Sequence, residues 1–201
     1  MITEIPILIL AAGQSNRMRG ADKLMQPIDG EPLLRRSTGI ALQSGIGPVI
    51  LALPTLPHPR YGAVEGMDVT TVPVPDAFEG MNASLRRGIA ALPENSAAVM
   101  ILLADLPDLT AHDLKLVSEA VDLEPEFSIW RGATETGEPG HPVIFSADLF
   151  ADLAKLTGDA GAQSVVQRHK TKTQLVPLPG NRARTDLDTP EAWADWAANR
   201  T

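Results

Sequence analysis

The sequence predicts an α/β domain built around a mostly parallel sheet, and three observations lead there. Short, nearly unbroken apolar runs of strand length occur at residues 5–12, 48–53 and 97–104, as expected of strands covered on both faces. Segments with apolar residues at helical spacing separate or follow them, at 32–44, 84–92 and 110–121. No internal repeat, low-complexity tract or long linker interrupts the alternation, so one domain over residues 1–201 is expected.

Taken in order, the run at 5–12 is the first buried strand and ends abruptly at Gly13. A helix follows from Pro32, which suits a first turn, with Leu33, Leu34, Ile40 and Ala41 on one side. The run at 48–53 is the second strand, closed by Pro54. Residues 55–66 are rich in Pro and Gly and read as a surface connection. A short strand at 69–74 is confined by Pro73 to an edge or an end. Leu85, Ile89 and Leu92 then mark a helix stopped by Pro93, and 97–104 is the next strand. Thr110 is an N-cap with Asp113 in the first turn of the helix to about Val121. Residues 127–130 form a strand, 132–140 a polar loop, and Val143-Ile144-Phe145 an apolar stretch. Ser146 caps a helix to about Leu156, Gly158 to Ala162 introduce another, and 173–178 is the last strand. Pro190 opens a terminal helix carrying Trp193 and Trp196 on one packing face.

The totals exclude several functions. Without cysteine there is no disulfide, Cys-ligated zinc, iron–sulfur cluster or thiol chemistry. A net charge of −8 argues against a general nucleic-acid binder, yet leaves room for a local cationic cluster that holds a nucleotide. The beginning Met1-Ile2-Thr3-Glu4 lacks the basic residues of a signal peptide, and no apolar stretch approaches membrane-spanning length, so a soluble cytoplasmic protein is expected.

The stretch from Leu8 to Leu33 organises the rest. A buried strand opens into a small, polar loop carrying Ser15, Arg17, Arg19 and Lys23, at the sheet edge where α/β proteins bind ligands. Backbone N–H groups and cations there suit phosphates, although the segment has neither a Gly-Lys Walker loop nor G-x-G-x-x-G, and an ordinary solvated connection has the same composition. Asp105 follows the strand at 97–104 directly and suits Mg²⁺; it also suits a turn before Pro107. Asp186 and Asp188, two apart, share a face of an extended segment with Leu187 turned away; capping of the helix at Pro190 is the other role open to Asp188 or Thr189. Gly80-Met81-Asn82-Ala83-Ser84 starts a helix that either faces a ligand or is simply capped by Asn82. His141 is isolated, since His58, His112 and His169 show no metal-ligand spacing.

Taken together, these segments resemble the small nucleotidyltransferases that attach a nucleotide to the molybdenum cofactor. The resemblance is carried by Leu10-Ala11-Ala12-Gly13, Ser15-Asn16-Arg17-Met18, Lys23 and Pro27-Ile28-Asp29-Gly30-Glu31-Pro32-Leu33. It continues through Gly80 to Leu85, Ala104-Asp105-Leu106-Pro107, Gly140-His141-Pro142-Val143, Gly158 to Ala162 and Asp186 to Pro190. It implies a Rossmann-like three-layer α/β/α sandwich and attack by the terminal phosphate of molybdopterin on the α-phosphate of a nucleoside triphosphate. By resemblance, Lys23 and Arg17 hold the triphosphate and act with Asp105 in catalysis. Leu10, Ala11, Ala12, Gly13, Ser15, Lys23, Gly80, Asn82 and Ser84 line the nucleotide site. Asp105 binds Mg²⁺ with Asp188, Asp186 being the reserve, and His141 and Asp159 face the acceptor.

Ala12 and the Gly-His-Pro-Val segment resemble the CTP-using branch, whereas Ala21-Asp22-Lys23 resembles the guanylyl branch. CTP is the expected donor and GTP the alternative. Transfer to a sugar or polyol phosphate, and a non-catalytic carrier that delivers the cofactor to a client molybdenum enzyme, are the competing functions. No contact with nucleic acid or membrane is expected.

Overall fold

The computed structural model describes residues 4–122 and 126–200; Met1-Ile2-Thr3, read above for a leader's basic residues, lie outside them. In chain order the elements are β1 (Ile7–Leu10), β2 (Pro27–Ile28), β3 (Glu31–Pro32), α1 (Leu33–Ser44), β4 (Val49–Leu53), α2 (Pro59–Ala63), β5 (Thr70–Pro73) and α3 (Met81–Ala90). There follow β6 (Ala98–Leu103), α4 (Ala111–Glu119), β7 (Ile129–Ala133), β8 (Pro139–Ser146), α5 (Phe150–Leu153), α6 (Gln163–Arg168), β9 (Thr173–Pro177) and α7 (Pro190–Asn199). Seven strands form one sheet in the order β5-β4-β1-β6-β8-β7-β9, while β2 and β3 make a separate small hairpin.

Apolar runs without alternation predict strands buried on both faces, and β1 shows why. Ile7 and Ile9 pack with Leu33, Leu34, Leu114 and Trp130 on one side of the sheet, and Leu8 packs with Ala83, Leu85, Phe145 and Leu153 on the other. Two cores therefore sandwich the sheet between helical layers, the expected α/β/α arrangement. The edge strand β5 ends on Pro73, where a missing N–H costs no ladder bond. Thr110 and Asp113 form a reciprocal capping box at the start of α4.

The local expectations differ at four places. The 132–140 loop is shorter than predicted, because β7 and β8 extend into it and leave a tight turn closed by Gly137 N–H donating to the Thr134 carbonyl (2.9 Å). Ser146 ends β8 and makes no cap bond; the helix expected after it is a single turn, α5, preceded by a short 3-10 turn. Pro32 pairs with Pro27 in the small hairpin and stands just before α1 rather than in its first turn. The connection at 55–66 contains α2, capped by His58, whose Nδ1 accepts from Arg60 N–H (3.3 Å).

A tight turn joins only antiparallel neighbours, so β8 runs against the other six strands. The reversal brings the start of β8, with Gly140 and His141, to the edge where β1, β4 and β6 end. There His141 N–H donates to the Ala183 carbonyl (2.8 Å), and Gly140 lies so close to Ala183 that a Cβ would overlap its backbone. The chain from Ala183 leads on to Asp186 and Asp188. Gly140→Ala is therefore expected to cost about 1–3 kcal/mol of stability through overpacking against backbone, measured by urea unfolding. A variant as stable as the parent would mean that the 183–188 segment yields freely.

Candidate active site

After β1 the backbone must turn sharply, and Ser15 and Arg19 adopt left-handed conformations (φ 54° and 53°) to do so. Lys23 then opens a short 3-10 turn capped by Asp22, which accepts from Leu24 N–H (3.0 Å). Ser15 Oγ accepts from the backbone N–H of Lys23 (3.2 Å), closing the loop on itself. From across the sheet edge, Arg60 reaches into this loop with a side chain only 2% exposed. Its Nε and Nη2 grip both oxygens of Asp22 (2.8 and 2.7 Å), and its Nη1 donates to the Ala11 carbonyl (2.7 Å). One buried guanidinium thus fixes the strand end and the residue before Lys23 together.

The Lys23 ammonium bridges Asp105 and Asp188, and the other oxygen of Asp188 pairs with the exposed Arg17. Burial alone would pull the Lys23 pKa down, but the two carboxylates outweigh it and the net shift is upward. Burial likewise pushes Asp188 up, yet its bond to Lys23 and the charges of Lys23 and Arg17 hold it below the usual carboxylate range. Asp186 moves the other way: burial raises it, and so do Asp188 and Asp105 beside it. The alternative capping role falls to Thr189, which accepts from Ala192 N–H (3.1 Å) and leaves Asp188 to Lys23. Leu187 is buried between the two aspartates and its N–H donates to the Asp105 carbonyl (3.2 Å), holding the C-terminal segment against β6.

Arg17, Lys23, Asp105 and Asp188 line a cleft of ≈ 340 Å³ together with Leu10, Ala11, Ala12, Gly13, Ser15, Gly80 and Ser84. Most residues expected around a nucleotide therefore converge. Asn82 and Asp186 are not among its walls. Asn82 is buried and donates its amide to the Thr157 carbonyl (2.7 Å), bracing the neighbouring loop instead of capping α3. Asp159 does line the cleft, and its carboxylate accepts from Met81 N–H (2.8 Å) at the start of α3. Gly80 is required there: its φ is +105°, and a Cβ would overlap Asp159. His141 lies in an adjoining pocket, where burial, with Arg131 nearby, pushes its imidazole down to about 4.

A divalent cation fits the donor set. Asp105 Oδ1 is buried without a hydrogen-bond partner, an acceptor oxygen that a cation would satisfy. Among the described residues no group of three His, Asp or Glu side chains forms a ready cage. Two carboxylates with phosphate oxygens and water are the donors Mg²⁺ commonly takes.

The fold and the cleft define an α/β protein with a charged site beside its strand ends, and comparisons narrow the class. Residues 7–173 match the MobA-like NTP transferase domain, and the chain belongs to that family. Purine catabolism protein PucB of Bacillus subtilis is 28% identical over 92% of each chain. A probable molybdenum cofactor guanylyltransferase of Synechococcus elongatus is 37% identical over 59% of each. The crystal structure of Rv0371c from Mycobacterium tuberculosis superposes with a TM-score of 0.84 at 27% identity, covering 97% of both chains. The same mycobacterial protein has been solved in complex with manganese. Among the described residues no helix is long and apolar enough to cross a membrane.

Sequence reasoning missed Arg60 and Arg131. His58-Pro59 before Arg60 is a cap followed by a first-turn proline, which signals a helix; nothing local reveals the ion pair to Asp22, 38 residues away. Breaking that buried pair in Arg60→Met should cost about 3–5 kcal/mol in urea unfolding. Asp22 is raised by burial, but Arg60 and the Leu24 N–H more than offset this and lower it overall. Its contribution is thus complete above the unfolded value of about 3.9 and lost as pH falls through the lower folded value. Asp22→Asn should flatten this acid limb of the stability curve; an unchanged limb would disprove the linkage.

Proposed function

We propose that this protein transfers CMP from CTP to the terminal phosphate of molybdopterin and releases pyrophosphate. The observation that carries the reading is the Lys23 ammonium held between Asp105 and Asp188 at the mouth of the loop after β1. In the reaction an acceptor phosphate oxygen bonds to the α-phosphorus. The bond from that phosphorus to the bridging oxygen breaks, and pyrophosphate leaves with the electron pair. The attacking phosphate is already ionised, so no strong general base is needed, in keeping with a neutral His141.

Lys23 and Arg17 neutralise and orient the triphosphate, and the N–H groups around Gly13 and Ser15 cradle it. Leu10, Ala11, Ala12, Gly80 and Ser84 form the walls for the nucleoside, with Asn82 acting behind them. Asp105 and Asp188 hold Mg²⁺, with Asp186 in reserve; when bound, the ion supplies Lewis-acid stabilisation of the phosphate oxygens. Asp186 lies beside this pair, its pKa raised by burial and by the neighbouring Asp188 and Asp105. His141 and Asp159 face the acceptor. One cytoplasmic domain spanning residues 1–201 goes with this reading.

GTP is the second donor to test, because Ala21-Asp22-Lys23 resembles the guanylyl branch and the cyanobacterial relative carries a guanylyltransferase name. Incubation with molybdopterin, Mg²⁺ and each nucleoside triphosphate should give pyrophosphate fastest with CTP. A clear preference for GTP would reverse the donor assignment. Saturable molybdopterin binding without turnover would favour a carrier. Lys23→Ala and Asp105→Ala should each lower kcat about 100- to 1,000-fold, as loss of a charge-stabilising group does, with the melting transition retained.

A further inference from the structure

A second pocket of ≈ 340 Å³ opens beside the nucleotide cleft and shares Leu10, Met81, Leu103 and Asp159 with it. One row of the sheet lies along it. Ile101 of β6 stands opposite Val143 of β8, and Val143 stands opposite Arg131 of β7. The row is aliphatic until it reaches that arginine. Leu85 and Phe145 extend the apolar lining, and His141 lies nearer the nucleotide end of β8.

Arg131 is half-buried. Its Nε donates to the Gly140 carbonyl (2.8 Å), and among the described residues no carboxylate forms an ion pair with it. Most other arginines near this edge are neutralised: Arg17 by Asp188, Arg60 by Asp22, Arg182 by Asp113 and Arg184 by Glu138. Around Arg131 the balance has the opposite sign. Burial lowers its pKa, and so does the like charge of Arg184. Taking a cation even partly out of water is costly unless a counter-charge repays it. Among the described residues no ion pair repays it, and the remaining guanidinium N–H groups are left available in a pocket that adjoins the first cleft and has Asp159 on its wall. His141 lines the same pocket, and its Nδ1 is buried without a hydrogen-bond partner.

We propose that Arg131 binds the anion of the acceptor, a phosphomonoester whose organic body lies on the apolar wall formed by Leu85, Val143 and Phe145. This rests on the nucleotidyl-transfer reading and adds the residue that selects the acceptor. A guanidinium suits the role because its planar fork can meet two phosphate oxygens at once, and an apolar wall favours a hydrophobic or aromatic body over a free phosphate ion. In the transfer, Arg131 holds the phosphate whose oxygen forms the new bond to the α-phosphorus; the leaving group remains the pyrophosphate.

Calorimetry with phenyl phosphate and with inorganic phosphate tests the assignment without requiring turnover. The parent should bind phenyl phosphate more tightly than inorganic phosphate. Arg131→Met should weaken phenyl phosphate about 10- to 100-fold, the loss expected for charged hydrogen bonds, and Arg131→Lys should fall between. CTP and GTP affinities should stay within about twofold, and the melting temperature should stay close to the parent's, because the half-buried guanidinium has one backbone hydrogen bond and no ion pair to lose. Equal phenyl phosphate binding by the parent and Arg131→Met, or no binding by the parent, overturns the proposal. So does a lowered melting point accompanied by weaker CTP binding, the signature of a structural role. Molybdopterin turnover whose acceptor KM is the same in Arg131→Met would overturn this assignment alone. Arg131-dependent phosphate binding without molybdopterin turnover would overturn the acceptor proposed above and leave this assignment standing.

Discussion

One ammonium group, that of Lys23, joins three distant parts of the chain. It holds Asp105 at the end of β6 and Asp188 before α7, while its own backbone is fixed by Ser15 in the loop after β1. Each partner is partly buried, so each charge would be costly alone. Together they are mutually satisfied, except that Asp105 Oδ1 keeps an unused lone pair. A site arranged in this way is charged and ordered, yet still has an acceptor oxygen to offer an incoming cation. Less reorganisation is then left for the moment of reaction.

That order depends on support from behind. Arg60 fills both oxygens of Asp22 and the Ala11 carbonyl, so the residues flanking the loop cannot separate without exposing a buried charge. On the other side, Trp193 Nε1 donates to the Leu187 carbonyl and Trp196 Nε1 to Asp108, which anchors the C-terminal helix beside the aspartate pair. Arg200 stacks 5.0 Å from the Trp196 ring centre and adds a cation–π contact at the helix end. Loops carry the chemical groups here, and the parts that stiffen them come from elements far away in sequence.

That separation decides what could be read from the sequence. The central strands were legible because burial on both faces removes alternation, and Ile7, Leu8 and Ile9 are fully buried. The convergence of Lys23, Asp105 and Asp188 was an expectation of the family resemblance; the residues alone left Asp105 open as a turn former and Asp188 as a helix cap, and the structure joins both to Lys23. The capping ambiguity at 188–189 could not be resolved locally, because either side chain can accept from a helix N–H; the structure gives that role to Thr189. Asn82 resembled a cap and instead bonds across to Thr157, a partner 75 residues away. Arg60 and Arg131 were hidden for a related reason. A buried arginine is recognised by its partner or by the lack of one, and neither appears in the neighbouring residues.

The backward course of β8 has a consequence for how such a protein diversifies. The nucleotide cleft draws on the ends of strands that run forward, whereas the pocket with His141 and Arg131 draws on a hairpin whose turn occupies residues 134–138. That turn is itself tied to the C-terminal segment, since Glu135 N–H donates to the Gly180 carbonyl (2.9 Å) and Arg184 pairs with Glu138, and the same segment carries Asp188 into the first cleft. The two pockets sit side by side on one sheet edge and share Leu10, Met81, Leu103 and Asp159. On the proposed reading, donor and acceptor sites would therefore change together, because one backward strand and the segment packed on it serve both.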